Sequence, residues 1–150
     1  MEKFKFRLEK ILEYRERIED INKTEFGKAK KHLNDEIVIL EEILSHKDSI
    51  NVERDNMLLT AKIKDLRSYS QYLDNVKEKL TNQKDIVEKA ENKVEKARKT
   101  LIISSVERKT LENLKDRDFD NYLYDVKKEE DKVVDQIVSY QSSKKYGGQK

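Results

Sequence analysis

The sequence has no cysteine, no proline and no tryptophan, and only three glycines among its 150 residues. Without cysteine there can be no disulfide and no thiolate ligand for a metal, which fits a reducing compartment such as the cytoplasm. Gly27, Gly147 and Gly148 are too scattered to build a Gly-x-x-x-x-Gly-Lys phosphate loop. No apolar run approaches the roughly 20 residues needed to span a bilayer. No alternating Val/Ile/Thr run bounded by turn residues marks a strand. The opening stretch from Met1 to Lys10 alternates charged with apolar side chains and is expected not to be a signal peptide. Neither sign of charge dominates: 33 basic against 31 acidic residues leave a net +2, with no global pull toward nucleic acid.

What the chain does have is charge and a period. Charged residues are 43% of the sequence and hydrophobic ones 35%, a balance shared by disordered chains and long helices. The period decides between them. From Leu66 an apolar residue returns every seventh position, through Leu73, Leu80, Val87, Val94 and Leu101. Three residues after each stand Tyr69, Val76, Gln83, Ala90, Ala97 and Ser104. This 3-4 spacing keeps a narrow stripe on one side of a slightly underwound helix, the seam of a coiled coil. Ala90, Ala97 and Ser104 thin that seam and let the helices approach there.

The first half carries its own stripe: Phe4, Leu8, Ile11, Tyr14, Ile18 and Ile21, then Phe26, Ala29, Leu33, Ile37, Leu40 and Leu44. One slip separates Ile21 from Phe26. The pattern predicts a first helix over about 3–56, a turn over about 57–62, a second helix over about 63–140 and a flexible tail over 141–150. A competing break lies at His46-Lys-Asp-Ser-Ile-Asn51, which is poor in strong helix formers. Two amphipathic helices joined by a short connection cover each other's seams. The expected fold is therefore all-α, a long antiparallel two-helix coiled-coil hairpin in a single domain. At about 1.5 Å per residue the second helix outruns the first, roughly 115 Å against 80 Å. A turn near residue 60 sets Phe4 opposite a position near 116. Beyond that point the stripe continues through Phe119, Tyr122, Val126, Val133, Ile137 and Tyr140, after a four-residue stutter around 111–119. An aromatic-rich face with no internal partner reads as a binding site. The competing expectation is that a bend or a phase shift covers it.

Catalytic chemistry is not visible. His32 and His46 are fourteen residues apart, about four helical turns, too far to share a metal. Glu41/Glu42 and Glu129/Glu130 lie on flanks facing water, and a two-helix hairpin offers no pocket to shift a carboxyl pKa. No enzyme activity, cofactor, metal or small-molecule substrate is expected. The stretch 61–100 leans basic, with 11 Lys/Arg against 7 Asp/Glu, but its charges are interspersed as on a solvated flank.

Three segments resemble the flagellar FliJ family. One is Phe4-Lys-Phe-Arg-Leu-Glu-Lys-Ile-Leu-Glu-Tyr-Arg15, continuing to Asp20. Another is Leu66-Arg-Ser-Tyr69-Ser-Gln-Tyr72-Leu73. The third is Glu107-Arg-Lys-Thr-Leu111-Glu-Asn-Leu114-Lys-Asp-Arg117, followed by Tyr122, Lys127-Lys-Glu-Glu130 and Asp135-Gln-Ile137. The likeness covers essentially the whole chain in order.

The resemblance implies a cytoplasmic component of the flagellar type III export apparatus, peripheral to the inner face of the membrane. It implies a stalk that engages the hexameric export ATPase and contacts both the large membrane protein of the export gate and the export chaperones. On that basis Phe4, Leu8, Ile11, Phe119, Tyr122, Val126, Val133 and Ile137 are expected at the ATPase. Tyr69, Tyr72 and Val76 are expected at the gate; Lys79 and Gln83 depart from the small or aromatic residues expected farther along that face. Two other readings stay open on the residues alone. A nucleic-acid-binding helical arm needs a clustered basic face with interleaved aromatics, hinted at only in 61–100. A plain structural coiled coil would be a parallel dimer of one uninterrupted helix.

Overall fold

The structure, a computed structural model, describes residues 2–58 and 62–147. Helix α1 spans Glu9–Met57 and helix α2 spans Ile63–Gly147, with no strand among the described residues. The fold is all-α, two long helices packed antiparallel as a hairpin. Lys, Glu, Arg and Leu, all good helix formers, are frequent in both helices, and no proline interrupts either. α1 runs unbroken through His46–Asn51, so the competing break there does not occur. The single uninterrupted helix of a parallel dimer is likewise excluded, because Leu58 is in a turn and Lys62 is non-helical. Of the expected turn, residues 59–61 lie outside the described residues, while Met57 still belongs to α1.

The helix ends differ from the sequence expectation for identifiable reasons. α1 begins at Glu9 rather than near Lys3. Lys3-Phe4-Lys5-Phe6-Arg7 alternates charged and apolar residues with period two, which suits an extended chain with one face inward and not a helix. The Glu9 amide donates to the Phe6 carbonyl at 3.2 Å and the Leu12 amide to the Leu8 carbonyl at 2.9 Å, opening the helix with Glu9 in its first turn. α2 starts where the Lys62 carbonyl accepts the Asp65 and Leu66 amides at 3.0 and 3.2 Å. It does not stop at Tyr140. Gln141 to Lys145 hold neither glycine nor proline, and Lys144 and Lys145 complement the negative helix end, so the helix runs to Gly147. Residues 148–150 of the expected tail lie outside the described residues.

The chain divides into two compact units, Glu19–Ser104 and Met1–Ile18 with Ser105–Lys150. In the unit 19–104, pairing is antiparallel: Asn22 meets Ser104, Glu36 meets Gln83 and His46 meets Tyr72. The α2 seam is the one the heptad marks, and every position from Leu66 to Ser104 in that series is buried or half-buried. Leu73 and Val76 are 3% and 4% exposed and pack with Ile50, flanked by Ile43 and Tyr69. Each such residue contributes about 1.5–3 kcal/mol by burial. Gln83 is buried without penalty, because its amide donates to the Glu36 carbonyl at 2.9 Å and the Glu36 carboxylate at 2.6 Å.

The α1 side of this unit corrects the expected stripe. Ile21 and Leu44 point outward, while Glu19 and Asn22 take seam positions. Polar residues are tolerated there because they find partners. Asn22 Nδ2 donates to Ser104 Oγ at 3.0 Å, and the buried Glu19 carboxylate pairs with Lys23 at 3.0 Å. Tracing apolar residues alone therefore steps onto a neighbouring row, and the slip between Ile21 and Phe26 is its trace.

In the other unit, Leu12 is buried and Arg15 faces Glu107 across the seam at 2.5 Å, while Glu9 pairs with Lys115 at 2.8 Å. Ile11 and Tyr14, expected in the seam, are 46% and 50% exposed on the outer face. On α2 the inward row runs through Arg108, Leu111, Lys115, Asp118, Tyr122 and Val126, all half-buried. Every residue from Lys127 to Lys145 is exposed.

Candidate partner-binding surfaces

The first surface is built on the second half of α2 in the unit 1–18 with 105–150. Phe119 and Tyr122, one helical turn apart, stack at 6.3 Å between centroids. Phe4 from the extended N-terminal segment closes the cluster, edge-on to Phe119 at 5.2 Å and tilted over Tyr122 at 5.6 Å. The Tyr122 hydroxyl donates to the Glu2 carbonyl at 2.7 Å. Nearby, the Glu9 carboxylate accepts a hydrogen bond from Lys115 and raises the ammonium pKa above its ordinary value. The stripe is thus partly covered as far as Val126, with Phe119 still 42% exposed, and open beyond it. Val133 and Ile137 are 53% and 52% exposed, and Val134, Val138 and Tyr140 are at least as open.

The sequence-predicted residues of this surface fall into three groups. Phe4, Phe119 and Tyr122 come together, with Val126 at the edge of the covered row. Val133 and Ile137 lie on the open continuation of α2. Leu8 is half-buried at the base of α1, and Ile11 points outward from α1. Pattern reading missed Phe6, which is buried beside the cluster; the Phe-Lys-Phe alternation was its signal.

The second surface lies in the unit 19–104. Tyr72 is 48% exposed and its hydroxyl hydrogen-bonds His46 Nε2 at 2.9 Å, with the two rings perpendicular at 5.8 Å. Glu42, Ile43, Asn75 and Lys79 complete the walls of a shallow groove around the pair. Tyr69 packs partly onto the Ile50–Leu73–Val76 core, leaving a side that joins Tyr72 and Ser68 in an adjoining groove. Val76 is buried in the seam, because it sits at a heptad position, and forms part of the groove's lining beneath Tyr72. His46 was not singled out for this surface in the sequence, since nothing local in α1 tells that it will meet Tyr72.

The chemistry of both surfaces is that of contact. Among the described residues no group of three His, Asp or Glu side chains could hold a metal ion. No helix among them is long and apolar enough to cross a membrane.

A family model described as Flagellar FliJ protein matches residues 4–147. The chain belongs to the flagellar FliJ family. No curated protein and no solved structure matches it. FliJ membership makes the chain a component of the flagellar export apparatus, part of the machinery of flagellum biogenesis and type III protein export. The family match takes in the Phe4 cluster, the Tyr72 groove and the whole exposed stretch 127–145 of α2.

Proposed function

We propose that this chain is a stalk and adaptor of the export apparatus, without enzymatic activity of its own. It engages the hexameric export ATPase through the open end of α2 and links it to the membrane export gate and to export chaperones. It works in the cytoplasm, peripheral to the inner face of the membrane. The observation that carries this reading is the exposed stretch 127–145, where Val133, Val134, Ile137 and Val138 face water on a part of α2 with no cover among the described residues. Apolar rows of this kind are retained where another surface covers them. A helix inserted among ATPase subunits biases their conformations only through contacts that differ between states, and an asymmetric stripe supplies such differences.

Val133 and Ile137 form the core of the ATPase contact in this proposal, with Val126 at its edge. Phe4, Phe119 and Tyr122 spend their faces on one another. Tyr72, with the exposed side of Tyr69, is proposed for the gate. The test uses purified export ATPase. Wild-type chain is expected to stimulate hydrolysis, and the double substitution V133S/I137S to abolish stimulation with helix content unchanged by circular dichroism. Full stimulation by the double variant would remove the α2 stripe from the mechanism.

A further inference from the structure

The N-terminal segment occupies the face of α2 that leads into the open stripe. Residues 2–6 belong to neither helix. They are held by Phe4 against Phe119 and Tyr122, by buried Phe6, and by the hydrogen bond from Tyr122 to the Glu2 carbonyl. Lys3, Lys5 and Arg7 are exposed. Their charges add solvation to the free segment and cost nothing to expose. So few contacts on a segment outside either helix open locally far more easily than the helices do. Beyond Tyr122 the same side of α2 carries Val126, Val133 and Ile137, in steps of four, seven and four residues, with Glu129 and Glu130 between the two valines.

We propose that residues 2–7 form a releasable strap over Phe119 and Tyr122, and that its release extends the open apolar face of α2 back from Val133 to Phe119. The occupant of the covered face is the chain's own N-terminus. A partner helix lying along the full face must displace it, so its apparent affinity is reduced by the fraction of molecules in which the strap is closed. The strap itself stands on the contacts above; its effect on the ATPase rests on the function proposed above.

The experiment has two arms on the full-length chain. In the first, trypsin cleavage after Lys3, Lys5 and Arg7 is followed by mass spectrometry for wild type, Tyr122→Phe and Phe4→Ser. Tyr122→Phe keeps the ring and deletes one hydrogen bond, worth about a 2–10-fold rise in cleavage rate. Phe4→Ser removes the ring contacts and is expected to raise it further, with helix content unchanged. Cleavage equally fast in all three proteins would overturn the strap, and so would no acceleration in either variant. In the second arm, both variants are titrated into the export ATPase. Half-maximal stimulation is expected at about 2–10-fold lower concentration for Tyr122→Phe. Released straps with an unchanged or raised half-maximal concentration would overturn the gating. A wild-type chain that stimulates no hydrolysis would instead sink the proposed function, leaving the strap to be judged by proteolysis alone.

Discussion

Gly27 stands in the interior of α1 with ordinary helical geometry, and a methyl group added there would meet nothing within 4 Å. Glycine costs a helix interior roughly 0.5–1 kcal/mol relative to alanine through backbone entropy. Gly27→Ala is therefore expected to stabilise the protein by about that amount in urea unfolding; a destabilised variant would mean that Gly27 is contacted by something outside the chain. Leu80 presents the opposite case. It is buried in the seam, and Leu80→Ala is expected to cost about 2–5 kcal/mol. Ile103→Ser, on the exposed side of the same helix, should stay within about 0.5 kcal/mol. Charge pairs lose their contribution at the extremes of pH. Because Glu9 raises the Lys115 pKa, the pair's contribution is present at neutral pH and is lost as pH rises through the raised value. The pair is exposed to solvent, so its effect is small and screened by salt. Glu9→Gln should remove this alkaline component from a melting series taken through the lysine range.

At the scale of the helices, the two ends of α2 differ in what supports them. From Leu73 to Ala90 the inward positions are buried against α1, whereas 127–145 has no tertiary cover. An unsupported helix rests on local hydrogen bonds and propensity alone and opens readily. Amide hydrogen exchange is expected to be fast throughout 127–145 and slow across 73–90. Equal protection in the two stretches would show that the open stripe is covered after all. The helices themselves were legible in the sequence because the α2 heptad is strict, and the positions it marks from Leu66 to Ser104 are the ones that face α1. The α1 seam was only partly legible. Where it turns polar at Arg15 and Asn22, the partners Glu107 and Ser104 are supplied by the other helix and no pattern within α1 announces them, whereas Glu19 pairs with Lys23 one turn on in α1 itself. The N-terminal segment carried its own signal in the Lys-Phe-Lys-Phe alternation, which a search for helical spacing passes over. Tyr72 was visible as an aromatic near the seam, but its meeting with His46 depends on the register between the helices. Val76 shows the converse: a residue can fit a binding motif and still be claimed by the core.

At the scale of the molecule, the two contact surfaces proposed for this flagellar export component have to stay distinguishable. The Tyr72 groove is made by both helices in the unit 19–104, while the open stripe is made by α2 alone in the other unit. Substitution at one surface should therefore spare the other. Tyr72→Ala deletes a half-exposed ring and one hydrogen bond without touching the Ile50–Leu73–Val76 core, and is expected to impair gate binding while leaving ATPase stimulation intact. Parallel loss of both activities would point to unfolding rather than to a binding site. The most direct measurement is site-specific photo-crosslinking in the assembled export apparatus, with the crosslinker placed at Ile137 in one protein and at Tyr72 in another. Capture of the ATPase from Ile137 and of the gate protein from Tyr72 is the predicted result. Capture of the ATPase only from Tyr72, with nothing from Ile137, would contradict the assignment of the open α2 stripe to the ATPase.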